Sequence, residues 1–266
     1  MSSSIDALFE RTRAEGRAAL VGYLPAGFPS KELSIKAIEA MVEGGVDMVE
    51  VGLPYSDPVM DGPVIQAAAE AALVAGTRPS DVLDVVRASA ATGAPTVVMT
   101  YWNPVERYGV DRFAADLAAA GGAGLITPDL IPDEGAEWVA ASQAHDLDRI
   151  FLVAPSSTDD RLAMTVDAAS GFVYATAVMG VTGARDQTSS LGEELVARVR
   201  KVTDKPVGVG LGVSNGAQAH EIAAYADAVI VGSALVRCLL TATDESAGLA
   251  AIRALAQDLR AGVERS

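Results

Sequence analysis

Hydrophobic residues in this chain gather into short continuous runs, separated by longer stretches with helical spacing. Eight runs stand out: Ala18–Leu24, Val46–Leu53, Pro95–Tyr101, Gly124–Thr127, Arg149–Val153, Phe172–Ala175, Pro206–Gly210 and Ala228–Val231. Runs of four to eight such residues fit strands buried on both faces. A helix-like segment follows each run. Predicted helices cover Lys31–Glu43, the stretch after Gly62 through about Val74, Asp81–Ala91, Asp111–Ala120, Glu134–His145, Asp159–Ala169, Glu193–Val202 and Asn215–Tyr225. Gly232-Ser233 opens another helix, and Ser246–Val263 forms a last one. Ser30 and Ser80 are candidate N-caps, and Gly44-Gly45 ends the helix that Ser30 begins. The stretches Trp102–Val110 and Met179–Ser190 read as loops. Ile5–Gly16 is predicted to be a short amphipathic helix capping one end of the fold.

Strand–helix alternation implies a parallel sheet. Eight such units in a chain of this length predict an α/β fold, a (β/α)₈ TIM barrel with an additional N-terminal helix. The rival is an open doubly wound sheet, which usually carries a GxGxxG turn after its first strand; that turn is missing here. No linker or composition shift divides residues 1–266, so one barrel domain is expected.

Composition narrows the function classes. Half of the 266 residues are hydrophobic and 21% are charged, which gives no sign of extended disorder. The formal net charge is −15 and no Lys/Arg cluster occurs, arguing against nucleic-acid and anionic-membrane partners. A phosphorylated substrate stays possible, because backbone N–H groups hold phosphate without net positive charge. Cys238 is the only cysteine, so neither an internal disulfide nor a CxxC metal site can form. His145 and His220 fall in helix-like segments, where surface or helix-end roles are expected, and no metal site is predicted. The N-terminus lacks the apolar core of a signal peptide, and no run reaches the roughly 18 residues of a spanning helix. A cytoplasmic location is expected.

One residue breaks the apolar pattern. Glu50 lies inside the second run, where an ionised carboxylate would lose its solvation and need a partner or a raised pKa. It is either a catalytic acid/base or a strand-end glutamate paired with an arginine or facing water. Asp61 follows eleven positions later, after a loop punctuated by Pro and Gly. Two carboxylates in different surroundings can divide acid and base roles: Glu50 would shuttle protons, and Asp61 would stay ionised to accept a hydrogen bond or stabilise a cation. Asp61-Gly-Pro is also a common turn sequence, so a cap or turn role competes. In a barrel, function collects at the C-terminal strand ends. Those places hold Glu50, Asp61, Tyr101, Asp129, Tyr174 and Thr182-Gly183, then Gly212 and Gly232-Ser233. Gly183, Gly212, Gly232 and Ser233 form a candidate phosphate cradle from three consecutive strand ends. The bland alternative is that these glycines merely end strands and begin helices.

The stretch VEVGLPYSDPVMDGP resembles the signature of the tryptophan synthase α-subunit family. YLPAGFP, MTYWNP, PDLIPDE, MGVTGARD, GVGLGVS and VIVGSALV are similar to further family motifs and occur in the same order, so the resemblance spans essentially the whole chain. It implies a lyase of tryptophan biosynthesis that cleaves indole-3-glycerol phosphate reversibly to indole and glyceraldehyde 3-phosphate. It also implies that Glu50 and Asp61 are the catalytic pair, that Tyr174 assists, that Tyr101 and Leu211 line the indole pocket, and that Thr182 helps close a mobile loop. No cofactor is implied here; pyridoxal phosphate is expected only on a partner β subunit, within an α₂β₂ heterotetramer. Asp57 and the Tyr101–Gly109 and Asp129–Glu134 segments would face that partner. Two departures from the family pattern are Met60, in place of a small residue, and Pro128-Asp129-Leu130, in place of Ala-Asp-Val.

Three other readings compete. A related phosphate-binding barrel, such as indole-glycerol phosphate synthase or phosphoribosylanthranilate isomerase, is one; the synthase would need a catalytic lysine that strands one to six lack. A non-catalytic barrel that binds ligand and activates a partner is opposed by the intact carboxylates. A stand-alone indole-releasing lyase is the third.

Overall fold

The computed structural model describes residues 3–176, 185–210 and 212–265, with backbone only for 185–190. The eight apolar runs become the strands β1 (Ala19–Pro25), β2 (Met48–Gly52), β3 (Thr96–Met99), β4 (Gly124–Thr127), β5 (Asp148–Val153), β6 (Val173–Thr176), β7 (Val207–Gly210) and β8 (Ala228–Val231). They pair in parallel in chain order, and β8 closes on β1 through Ala19–Gly22. The closed (β/α)₈ barrel is thus the expected one, and the open sheet is excluded.

The helices are α1 (Ser4–Ala14), α2 (Lys31–Glu43), α3 (Pro63–Val74), α4 (Pro79–Ala90), α5 (Trp102–Tyr108), α6 (Val110–Ala119), α7 (Ala136–Ala144), α8 (Asp159–Ala168), α9 (Arg185–Val199), α10 (Gly216–Ala223), α11 (Ser233–Leu240) and α12 (Glu245–Gly262). Ser30 caps α2 by accepting the Leu33 N–H, as its position suggested. Ser80 does not cap α4. Pro79 takes the first helical position, Arg78 becomes the N-cap residue, and Asp81 reaches back to the Arg78 N–H at 2.9 Å. The stretch expected as a loop after β3 is helical as α5, since Pro104 sits in its first turn, where a missing N–H costs nothing. The expected loop Met179–Ser190 is also corrected: its last six residues already belong to α9. The predicted helix Glu134–His145 divides into a 3₁₀ turn, Pro132–Glu134, and α7. His145 ends α7 with Nε2 3.1 Å from Asp111 Oδ1, and His220 lies in the last turn of α10, so both sit at helix ends.

Successive strand residues alternate between two cores. Leu20, Leu24, Val49, Val51, Val98 and Leu125 pack outward under the helices. Ala19, Val21, Met48, Val97, Ile126, Ile150, Phe172 and Ile230 fill the barrel interior. Helix α1 plugs the floor with Ile5, Leu8 and Phe9, and the Phe9 and Phe172 rings lie 5.9 Å apart. Beside it, Arg17 forks onto both oxygens of buried Asp47 at 2.6 and 2.8 Å. Asp47 also accepts the Leu20 N–H, tying the starts of β1 and β2 together. One step above the floor layer, the inward positions become Tyr23, Glu50 and Tyr174. The barrel is therefore apolar below and polar at its mouth. No described helix is long and apolar enough to cross a membrane.

Candidate active site

A cavity of about 210 Å³ opens at the C-terminal ends of the strands. Tyr23, Glu50, Met60, Asp61, Thr100, Tyr101, Pro128, Tyr174, Gly210, Gly212, Gly232 and Ser233 are among the residues that line it. It thus brings together both carboxylates, both expected tyrosines and the described part of the glycine cradle. Thr182, Gly183 and Leu211 lie outside the described residues.

Glu50 reaches the mouth because it stands two positions beyond Met48 on the inward face of β2. It is 1% exposed, and its Oε1 has no hydrogen-bond partner among the described residues. Among the described residues no arginine or lysine lines the cavity and none pairs with Glu50, which speaks against its reading as a strand-end ion pair. Burial alone pushes its carboxyl up to about 8. A group with that pKa is protonated at neutral pH yet can give up its proton within a catalytic cycle.

Asp61 sits on the loop between β2 and α3. Gly62, not Asp61, is the N-cap residue of α3, and that cap has no side-chain hydrogen bond. The Asp61 carboxylate instead accepts the Tyr101 hydroxyl at 3.3 Å. Gln66 Nε2 donates to the Asp61 carbonyl at 2.7 Å and fixes the backbone beneath it. Burial raises the Asp61 carboxyl above its ordinary range, and the Tyr101 bond pulls it back down. Tyr101 also accepts the N–H groups of Val59 and Met60, at 3.1 and 2.9 Å. Its ring lies 5.3 Å from that of Tyr55. The start of α5 is held in turn by Asp129, which accepts the Trp102 N–H at 2.9 Å.

Tyr174 leans over the end of β7. A Cβ added at Gly210 would lie 2.6 Å from its hydroxyl, so glycine is needed there to admit the phenol. Burial, followed by the Glu50 charge, drives the Tyr174 phenol far above its usual pKa and keeps it protonated.

The opposite wall is built from backbone. Gly212 has φ 67°, a left-handed conformation that favours glycine. Gly232 is different: its φ of −117° suits any residue, and an added Cβ would make only ordinary contacts at 3.5–3.6 Å. Packing therefore does not demand glycine at 232. A bare backbone does leave room for a ligand beside the N-terminus of α11, where Ser233 begins the helix and the dipole favours an anion.

The sequence reading gave no role to Tyr23 or Thr100. Tyr23 pairs in register with Glu50, while Thr100 Oγ1 is buried beside the cavity without a partner among the described residues. Among the described residues no group of His, Cys, Asp and Glu gathers as a metal site would require.

A parallel barrel with a buried carboxyl and the N-terminus of a helix in one cavity has the form of an enzyme site suited to proton-transfer chemistry on a small molecule. Comparison with known proteins narrows this class. The profile of the family "Tryptophan synthase alpha chain" matches residues 9–264. The chain is 67% identical over 261 residues to the tryptophan synthase alpha chain of Salinispora arenicola (strain CNS-205), covering 98% of each chain. It is 62% identical to the alpha chain of Acidothermus cellulolyticus, covering 99% of this chain and 98% of that one. A Mycobacterium tuberculosis tryptophan synthase structure superposes with a TM-score of 0.93 at 59% identity, covering both chains fully. The alpha subunit from Legionella pneumophila superposes at 0.90 with 32% identity, covering 99% of each chain. The chain belongs to the tryptophan synthase alpha chain family. It is a lyase of tryptophan biosynthesis, cleaving indole-3-glycerol phosphate to indole and glyceraldehyde 3-phosphate.

Proposed function

We propose that Glu50, Asp61 and Tyr174 carry out this cleavage as a reversible retro-aldol reaction, with the phosphate held by Gly183, Gly212, Gly232 and Ser233. The observation that carries the reading is the buried carboxyl of Glu50, whose Oε1 has no hydrogen-bond partner among the described residues, in the same cavity as Asp61 and the α11 N-terminus. Protonated Glu50 gives its proton to indole C3. Positive charge then develops on the indole nitrogen, and Asp61 accepts the N–H hydrogen bond and stabilises that charge. Glu50, now a carboxylate, takes the proton from the chain hydroxyl next to the ring. The C–C bond breaks, its electron pair returns to the indole ring, and the hydroxyl carbon leaves as the aldehyde. Glu50 ends the cycle protonated. Tyr174, a neutral donor beside Glu50, steadies the oxygen that becomes the aldehyde. Tyr101 and the apolar wall of Met99, Leu152 and Ile230 receive the indole; Leu211 and Thr182, expected to take part, lie outside the described residues. The reaction needs no cofactor on this chain in this scheme.

The reading extends to assembly. The chain would act as the α subunit of an α₂β₂ complex in the cytoplasm, its barrel forming one domain and its mouth turned towards a β subunit that carries pyridoxal phosphate. Exposed Val59, Met60 and Ile131 around the mouth support a partner on that side. So does the bond from Asp129 to the Trp102 N–H, which joins the two segments expected to face it. The test is an assay of indole release from indole-3-glycerol phosphate with and without a β subunit, together with the mass of the mixture. Indole release and an α₂β₂ mass are expected. A mixture that stays as separate subunits contradicts the assembly, and a chain that releases no indole in either condition contradicts the catalytic reading.

A further inference from the structure

Tyr23 is the cavity residue to which the proposed mechanism gives no task. It leaves β1 in register with Glu50 on β2. Its hydroxyl end lies over Gly52, where an added Cβ would sit 2.3 Å from the oxygen. The base of the same side chain lies against Gly232, where an added Cβ would meet Tyr23 Cδ1 at 3.5 Å and Cβ at 3.6 Å. One side chain thus runs from the anion cradle to the strand that carries the acid. A substrate with its phosphate at Ser233 and its indole beside Glu50 has to lay its three-carbon chain along that path. The arrangement repeats that of Tyr174 over Gly210 on the other side of the mouth.

Among the other hydroxyls of the cavity, those of Tyr101 and Thr176 are engaged, whereas Thr100 Oγ1 is not. Tyr101 is bonded to Val59, Met60 and Asp61, and Thr176 donates to the Val153 carbonyl. The Tyr23 hydroxyl has no protein partner among the described residues, although the side chain is 9% exposed. A buried polar group left in that state costs free energy that a ligand oxygen can recover. Burial, followed by the charges of Asp61 and Glu50, raises the phenol and keeps it protonated, so it can act as a donor.

We propose that Tyr23 is a specificity-determining residue, whose hydroxyl donates a hydrogen bond to a hydroxyl of the substrate's three-carbon chain and so favours a hydroxylated chain over a bare one. The inference rests on the reading above, in which Ser233 holds the phosphate and Glu50 is the acid.

The experiment uses the full chain with Tyr23→Phe, which keeps the ring and removes only the oxygen. kcat/KM is measured with indole-3-glycerol phosphate, and the Kd of 3-(indol-3-yl)propyl phosphate, which lacks both chain hydroxyls, is measured by calorimetry. The expected result is a fall in kcat/KM of about tenfold, the effect of one neutral hydrogen bond, with the Kd of the deoxy ligand within about twofold of the parent. A kcat/KM within about twofold of the parent overturns the proposal, as does an equal loss for both ligands, which would make Tyr23 a packing residue. A Ser233→Asp variant separates the two levels. Loss of the deoxy ligand there upholds the phosphate assignment, so a silent Tyr23→Phe counts against Tyr23 alone. Undiminished binding to Ser233→Asp removes the phosphate assignment, and this proposal with it.

Discussion

Tyr101 holds Asp61 in place while its own oxygen is held by the loop that carries Asp61. The phenol donates to Asp61 Oδ1 at 3.3 Å and accepts the N–H groups of Val59 and Met60. Because that bond lowers the Asp61 pKa, removing it must raise the pKa. Tyr101→Phe is therefore expected to lose about tenfold in kcat and to move the acid limb of the pH–rate profile to higher pH. Steady-state indole release across the acid range checks both. An acid limb that stays in place would mean that Asp61 does not act as a carboxylate in the reaction.

Glu50 predicts a stability effect with a definite sign. Its folded pKa, about 8, lies above the ordinary 4.5. The native state thus holds the proton more tightly than the unfolded chain does. The stability linked to that proton is fully present below the unfolded value and is lost as pH rises through the folded one. Glu50→Gln has no such group. Its melting temperature should gain on that of the parent between about pH 4.5 and 8, then run parallel above. Thermal unfolding at intervals across that range tests the point, and a constant difference would place Glu50 in a solvated setting.

Gly210 is required by Tyr174. An alanine there would place its Cβ 2.6 Å from a phenol oxygen that is itself buried. Gly210→Ala should cost about 1–3 kcal/mol of stability and lower kcat by displacing the hydroxyl. Pairing it with Tyr174→Phe should leave part of that cost, since the ring carbons would also lie 3.2 Å from the new methyl. Denaturant unfolding of the two variants and their double gives the coupling.

The anion cradle can be probed through Gly212. Its φ of 67° and its place in the cavity wall make Gly212→Asp doubly unfavourable, through backbone strain and a like charge facing the phosphate. Affinity for glycerol phosphates should fall at least about tenfold by calorimetry. Unchanged affinity would move the anion elsewhere in the barrel.

The floor makes a prediction that does not involve the chemistry. Asp47 is buried, forked by Arg17 and bonded to the Leu20 N–H. Asp47→Ala leaves buried Arg17 with only the more exposed Glu15 as counter-charge, through Nε at 2.6 Å, and should destabilise the chain by about 3 kcal/mol. The chemistry lies at the other end of the barrel, so kcat should hold at temperatures where the variant stays folded.

Much of this architecture was legible in the sequence because buried parallel strands cannot hide their apolar runs. All eight runs correspond to strands, with ends displaced by up to two residues. Helix starts were harder to read. Asn103-Pro104 and the small polar residues of Arg185–Ser190 read as loop, yet both stretches are helical. Proline is tolerated in a first turn, and polar composition does not report on packing. Ser80 looked like a cap until Pro79 claimed the first position. Glu50 was legible because a carboxylate in an apolar strand is a local contradiction. Asp61 was ambiguous, since the same three residues also spell a turn; only the Tyr101 bond and the Gly62 cap decide it. Tyr23 was invisible, because tyrosine is an ordinary strand residue. Its place beside Glu50 follows from strand register, which no local pattern encodes.

Everything in the proposed mechanism depends on the proton carried by Glu50. The most direct measurement is kcat for indole release by Glu50→Gln, alongside the Kd of 3-(indol-3-yl)propyl phosphate for the same variant. The account predicts that kcat falls about a thousandfold or more while the Kd stays within about twofold; a kcat within a few-fold of the parent would contradict it.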